Sequence, residues 1–110
     1  MIEAPRRSEG RRELLVTDPQ FSRDGMGAHF MTQNRSKQGV SINLHIKPGH
    51  QVVYDLVRQA DVMFDNFGTG VTRRLCIDPN TLTAINQRNI PRSVTGFGET
   101  GSNTKRPPFD

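Results

Sequence analysis

The chain has 110 residues, 33% of them hydrophobic, with no Trp and a single Tyr, so it holds at most one domain and has a lean core for one that stands alone. That balance, with a mean hydropathy of −0.63, points to part of a larger fold whose core is completed by other segments or a partner. The net charge of +4 is local, carried by Arg6, Arg7, Arg11 and Arg12 and by the pair Arg73 and Arg74; no aromatics interleave with these and no nucleic-acid-binding signature follows, which sets nucleic acid aside in favour of a solvated basic arm.

Residues 1–39 are a basic, loop-rich segment, and residues 1–28 show no sustained hydrophobic period. From Val40 the pattern changes. Val40, Ile42, Leu44 and Ile46 alternate with Ser41, Asn43, His45 and Lys47, which predicts a strand with one apolar face, stopped by Pro48 and Gly49. Val52, Val53, Leu56, Val57 and Ala60 then recur at helical spacing, predicting an amphipathic helix over 49–60. An apolar strand over 61–66 follows at once, so strand, helix and strand form a βαβ unit with parallel neighbours.

Val71 to Leu75 suggests one helical turn. Asp78-Pro79 is a helix start, with Asp as N-cap and Pro at the first helical position; Leu82 and Ile85 supply its inward face. A third strand is predicted near Ile90 to Thr95, ending at Gly96-Phe97-Gly98. Residues 40–110 thus read as a βαβαβ portion of an α/β fold, a Rossmann-like open parallel sheet with flanking helices. In such sheets ligands bind at the carboxyl ends of the strands. Leu44-His45, Asn66-Phe67-Gly68 and Gly96-Phe97-Gly98 are therefore expected along one edge, where the site is placed.

Several motifs carry less than they promise. Gly96-Phe97-Gly98-Glu99-Thr100-Gly101 fits the dinucleotide pattern G-x-G-x-x-G, but Pro107 and Pro108 block the helix whose N-terminus should hold the pyrophosphate. His29, His45 and His50 lack metal-ligand spacing. Cys76, the only cysteine, excludes an internal disulfide and a Cys-based metal site, in keeping with a reducing compartment; it reads as a buried, inert thiol. Asp61 and Asp65 share a strand face and read as polar strand ends rather than an acid–base pair. No window approaches a membrane span and the N-terminus lacks a signal-peptide core, so the expectation is a cytoplasmic chain with no membrane partner.

The order and spacing of these segments resemble the family III CoA-transferases, the group that includes formyl-CoA transferase, carnitine CoA-transferases and α-methylacyl-CoA racemase. The resemblance is carried by Ile2 to Pro5 (IEAP), His29 to Val40 (HFMTQNRSKQGV), the alternating SINLHI, Ala60 to Gly70 (ADVMFDNFGTG), Ser93 to Gly101 (SVTGFGETG) and Arg106 to Asp110. It covers nearly the whole chain, as an N-terminal-region fragment of a larger subunit.

Position by position, it implies that Ile42, Asn43, Leu44, His45, Asn66, Phe67, Gly68 and Arg74 contact coenzyme A. Adenine needs an apolar slot, pantetheine amides need backbone and amide partners, and phosphates need Arg. The family's nucleophilic aspartate attacks an acyl-CoA to form a mixed anhydride. It is expected beyond Asp110, which corresponds to a neighbouring active-site carboxylate, so the 110 residues alone are expected to be inactive. Implied substrates are acyl-CoA and a carboxylic acid, with no tightly bound cofactor, in an interlocked homodimer.

Racemase members carry His where this chain has Phe109, which favours a transferase. The departures are Asp65 for Glu, Lys37-Gln38-Gly39 for the usual K-R-S, Asn43 and His45 for the strand Asp and Lys, and the absence of the family's opening strand before Met1. Pro91 and Arg92 fall inside the third strand, which is expected to be shortened or disturbed because proline removes a ladder donor. A non-catalytic fragment or remnant of such an enzyme is the alternative these departures support; a dinucleotide-binding module rests on the glycine pattern alone.

Overall fold

The computed structural model describes residues 1–5, 16–104 and 106. Arg6, Arg7, Arg11, Arg12, Pro107, Pro108, Phe109 and Asp110 lie outside the described residues, and with them the basic arm and the active-site carboxylate expected from the sequence. The chain divides into two compact units, Met1–Asn43 and Leu44–Asp110.

In the first unit, strand β1 (Ile2–Glu3) pairs in parallel with a later strand, Val40–Ser41. Between them lie a hairpin, β2 (Ser22–Arg23) and β3 (Met26–Gly27), and helix α1 (Ala28–Asn34). The hairpin turns on Asp24 and Gly25, with φ of 52° and 72°; positive φ at both central residues is what a type I′ turn requires. Helix α1 buries Phe30 and has no acidic residue in its first turn. A single buried aromatic in seven residues leaves no helical period in the sequence, so this element was not anticipated.

The Val40–Ser41 strand, β4, is shorter than the alternation over Val40 to Lys47 predicts. Its partner explains why. Val40 N donates to Met1 O and Ile42 N to Glu3 O, both at 2.9 Å, and β1 then runs into Ala4-Pro5, where proline offers no donor to extend a ladder. Ile42 is buried, while Val40 stays exposed.

The second unit begins with a turn at Leu44 to Ile46 and enters helix α2 (Lys47–Gln59). Pro48 lies in its first turn, where a missing N–H costs nothing because that donor has no helical partner. Pro48 and Gly49 thus belong to the start of the helix and do not stop the strand, which ends at Ser41 ahead of the Leu44 turn. Val53 and Val57 are buried, one turn apart. Val52 and Leu56, predicted for the same inward face, are 44% and 43% exposed.

Strand β5 (Val62–Asp65), the turn α3 (Val71–Arg74), helix α4 (Pro79–Ile85) and strand β6 (Ile90–Ser93) follow. β5 and β6 pair in parallel, Val62 opposite Ile90 through Asp65 opposite Ser93. The hydrogen-bonded neighbour of β5 is thus β6, and that of β4 is β1. Mixed helices and short parallel ladders match the α/β fold class expected from the sequence. The core of this unit is Val53, Val57, Leu75, Ile77 and Leu82, with the Thr72 side chain buried alongside.

Pro91 does not disturb its strand. Ile90 N donates to Asp61 O at 2.8 Å and Val94 N to Asp65 O at 2.9 Å, so the even-numbered residues of β6 face β5 for hydrogen bonding. In a parallel ladder alternate residues bond to the same side. Pro91 falls on the other side, where its absent N–H removes no bond to β5, and the register runs through it unbroken.

Two asparagines anchor the end of α2. Asn86 Nδ2 donates to Val57 O at 2.9 Å and to Ala60 O at 3.3 Å, and Asn89 Nδ2 to Ala60 O at 2.9 Å. Carbonyls at a helix C-terminus lack intrahelical donors, and here the α4–β6 connection supplies them.

Candidate functional site

The end of β5 builds the site. Asp65 is its last residue, and both carboxylate oxygens are engaged: Oδ1 accepts from Phe67 N at 3.0 Å, and Oδ2 from Ser93 Oγ at 2.7 Å. The first bond closes an Asx turn, in which an aspartate takes the backbone N–H two residues on. Asn66 and Gly68 project into solvent and Phe67 is half-buried. A Cβ placed on Gly68 would meet nothing within 4 Å, so the backbone there is open to close approach.

Gly70 begins α3 in the left-handed region, with φ +76°. Arg74 Nη1 lies 3.8 Å from where a Cβ on Gly70 would stand. The guanidinium therefore folds back along its own turn towards the loop. Asn66, Phe67 and Gly68 are consecutive at the carboxyl end of β5, and the Arg74 side chain lies against Gly70, two residues beyond them.

The glycine-rich loop after β6 joins them. Thr69 Oγ1 donates to Thr104 O at 2.9 Å, across 35 residues of sequence. Inside that loop Gly98 N donates to Thr95 Oγ1 at 2.9 Å, and the Arg106 guanidinium sits 5.4 Å from the centre of the Phe97 ring, a cation–π distance. Gly98 and Gly101 have φ of +82° and +98°, a region nearly closed to other residues. Residues 96–104 form bends and turns without a helix, so the G-x-G-x-x-G pattern has no helix N-terminus there.

Between these loops and the start of α4 lies a shallow cleft of about 360 Å³, bordered by Thr69, Gly70, Arg73, Asp78 and Glu99. Arg73 rather than Arg74 lines it. Asp78 caps α4: its side chain accepts from Asn80 N at 3.2 Å, Thr81 N at 3.3 Å and Thr81 Oγ1 at 2.7 Å. The Thr81 hydroxyl, followed by the backbone donors, holds the Asp78 carboxyl below the usual carboxylate range.

Leu44 and His45 occupy the turn ahead of α2. With its Nε2 protonated, His50 donates to Leu44 O at 2.8 Å. Ile42 and Asn43 end the first unit. Cys76 is exposed, not buried as the sequence suggests, because it follows the short α3 turn at a positive φ of 56°. Its carbonyl accepts from Tyr54 Oη at 2.8 Å, and burial, then the nearby Cys76 and Asp78, push the Tyr54 phenol above its ordinary pKa. Among the described residues no three His, Cys, Asp or Glu side chains cluster as metal ligands, and no helix is long and apolar enough to cross a membrane.

Solvent-open loops at the carboxyl ends of two parallel strands occupy the position where open α/β sheets bind ligands. The chain matches CoA-transferase family III over residues 1–110 and belongs to that family. It is 37% identical over 82 residues to an acetyl-CoA:oxalate CoA-transferase of Acetobacter aceti, covering 74% of this chain and 21% of that one. A succinate–glutarate CoA-transferase of Agrobacterium fabrum is 34% identical over 98 residues, 84% of this chain and 24% of the relative. Among solved structures, a CAIB/BAIF family protein from Brucella suis superposes with a TM-score of 0.84 at 32% identity, over 99% of this chain and 29% of that one. The chain thus spans between a fifth and a third of the length of these relatives.

Asp65 is the residue that sequence reasoning undervalued. A polar end to an apolar strand was legible; its role in closing a turn was signalled only by an aspartate two residues before Phe67, at a strand end.

Proposed function

We propose that this chain forms part of the coenzyme A cleft of an enzyme that moves CoA from an acyl-CoA donor to a carboxylic acid acceptor. The observation that supports the reading is the solvent-open Asn66–Gly68 segment at the carboxyl end of β5, with the Arg74 side chain against Gly70 just beyond it. Asn66 offers both a donor and acceptors to pantetheine amides. The open backbone at Gly68 admits a close ligand, and the Arg74 guanidinium is a partner for phosphate.

Ile42, Asn43, Leu44 and His45 complete the proposed contact set. Residues 1–39 and 40–110 are, on this reading, a basic leading segment and the βαβαβ portion of the family's large domain. The nucleophilic aspartate belongs to a part of the subunit beyond Asp110, so the described residues bind and orient CoA while the acyl transfer is carried elsewhere. An interlocked dimer and a cytoplasmic setting belong to the same proposal.

The test is calorimetric titration of coenzyme A into the parent chain and into Asn66→Ala and Arg74→Ala variants, repeated in an intact homologous enzyme. Each substitution is expected to weaken binding by about tenfold, the scale of a hydrogen bond to a charged or buried group. Retained affinity in both variants of the intact enzyme would remove these residues from the cleft.

A further inference from the structure

We propose that Asp65 is a positioning residue for coenzyme A, holding the Asn66–Gly68 loop in its receptive shape by tying the Phe67 amide to the Ser93 hydroxyl. The inference rests on the reading of that loop as a CoA contact, and adds a residue that need not touch the ligand.

Three anchors meet on this one side chain and its backbone. Asp65 O accepts from Val94 N at 2.9 Å, which closes the β5–β6 ladder. Oδ2 takes the Ser93 hydroxyl from the facing position in the register, and Oδ1 takes the Phe67 amide. Residues 66–68 have no regular structure and Asn66 and Gly68 are exposed; the far end of the loop is held where Gly68 O accepts from Val71 N at 3.1 Å, and Asp65 holds the near end. A carboxylate accepting from a backbone N–H is a charge-assisted bond, stronger than its neutral counterpart. The short carboxylate of Asp65 is what lets one side chain close the turn on the Phe67 amide while its second oxygen takes the Ser93 hydroxyl.

Three variants of the full chain separate positioning from simple stability. Asp65→Ala removes both tethers. Asp65→Asn keeps Oδ1 for the Phe67 amide and offers Nδ2 to the Ser93 oxygen, with that bond reversed. Ser93→Ala removes one tether and leaves the turn. Each is titrated with coenzyme A by calorimetry, and amide hydrogen exchange is followed at Phe67 by NMR.

Asp65→Ala is expected to bind CoA about tenfold more weakly and Ser93→Ala about threefold, with Asp65→Asn near the parent. Phe67 exchange should accelerate in Asp65→Ala and stay slow in Asp65→Asn, a rescue that general destabilisation would not give. CoA affinity equal to the parent in Asp65→Ala overturns the proposal and leaves the assignment of the cleft standing. If Asp65→Ala does not fold, Ser93→Ala decides: unchanged affinity there overturns the proposal too. A parent chain that binds no CoA overturns the cleft assignment and this proposal together, and that outcome is identified by the parent titration alone.

Discussion

Gly68→Ala is expected to move stability and ligand affinity in opposite directions. The added methyl meets no protein atom within 4 Å, and Gly68 is absent from the residues with positive φ, so alanine fits the native backbone without strain. Replacing glycine at such a position restricts the unfolded chain and stabilises by about 0.4–1 kcal/mol. In a domain of this size that raises the melting temperature by about 4–8 °C per kcal/mol. If CoA lies against this backbone, the same methyl intrudes on it. Overfilling a packed contact costs about 1–3 kcal/mol, equivalent to about 5- to 150-fold in affinity. Gly70→Ala is the control: its φ of +76° makes alanine unfavourable by about 1–2 kcal/mol, although Arg74 Nη1 at 3.8 Å leaves room for the methyl. Thermal melting and CoA calorimetry on both variants check the scheme. A Gly68→Ala chain that melts no lower than the parent and binds CoA equally well would refute the claim that the ligand approaches here.

Leu82, 1% exposed at the centre of the second unit, should lose about 2–5 kcal/mol as Leu82→Ala in urea unfolding. Leu56→Ala, at a side chain 43% exposed, should lose much less; equal losses would contradict the core assignment. Asp78 makes stability acid-sensitive. Its folded-state pKa is lowered by the Thr81 hydroxyl and backbone donors, so its contribution is complete above the unfolded pKa and disappears as pH falls through the lower, folded one. Melting curves of Asp78→Ala and parent should therefore differ near neutral pH and converge in strong acid; a constant gap across that range contradicts the cap.

How much of this was written in the sequence depends on the kind of signal. Asp78-Pro79 announced a capped helix, and Asp78 accepts from Asn80 N and Thr81 N as a cap should. The apolar run ending at Asp65 and the glycine-rich end of β6 placed the loops correctly, because local chemistry settles where a strand must stop. The length of β4 was not legible: its alternation spans eight residues, but a ladder is only as long as its partner, and β1 is two residues long. The β2–β3 hairpin could have been read from Asp24-Gly25, the commonest kind of two-residue turn pair. The harmlessness of Pro91 could not, because it depends on which side of β6 the ladder faces. Nor could the three-way role of Asp65, since Ser93 is brought to it across 28 residues.

The outer face of the β5–β6 ladder turns that distinction between pattern and partner into a last prediction. Val62, Phe64 and Ile90 are 53%, 68% and 47% exposed, and Val94 beyond the strand end is 55% exposed. Val62 faces Ile90 across the ladder, while Phe64 faces Arg92, so an apolar strip runs along one side of a sheet whose first strand reads, from sequence, as an apolar run. Hydrophobic periodicity records that a residue is fit for burial, not that burial occurs in a given chain. In the 110-residue chain Phe64→Thr should therefore change unfolding free energy by no more than about 0.5 kcal/mol, as exposed substitutions do, with threonine itself well suited to a strand. The same substitution in an intact family member should cost several times more if its equivalent face is covered, since a buried Phe loses about 3–5 kcal/mol on truncation. Urea denaturation of both pairs makes the comparison. A loss of that larger size in the short chain would show that Phe64 is already buried there, and the exposed strip would have to be abandoned.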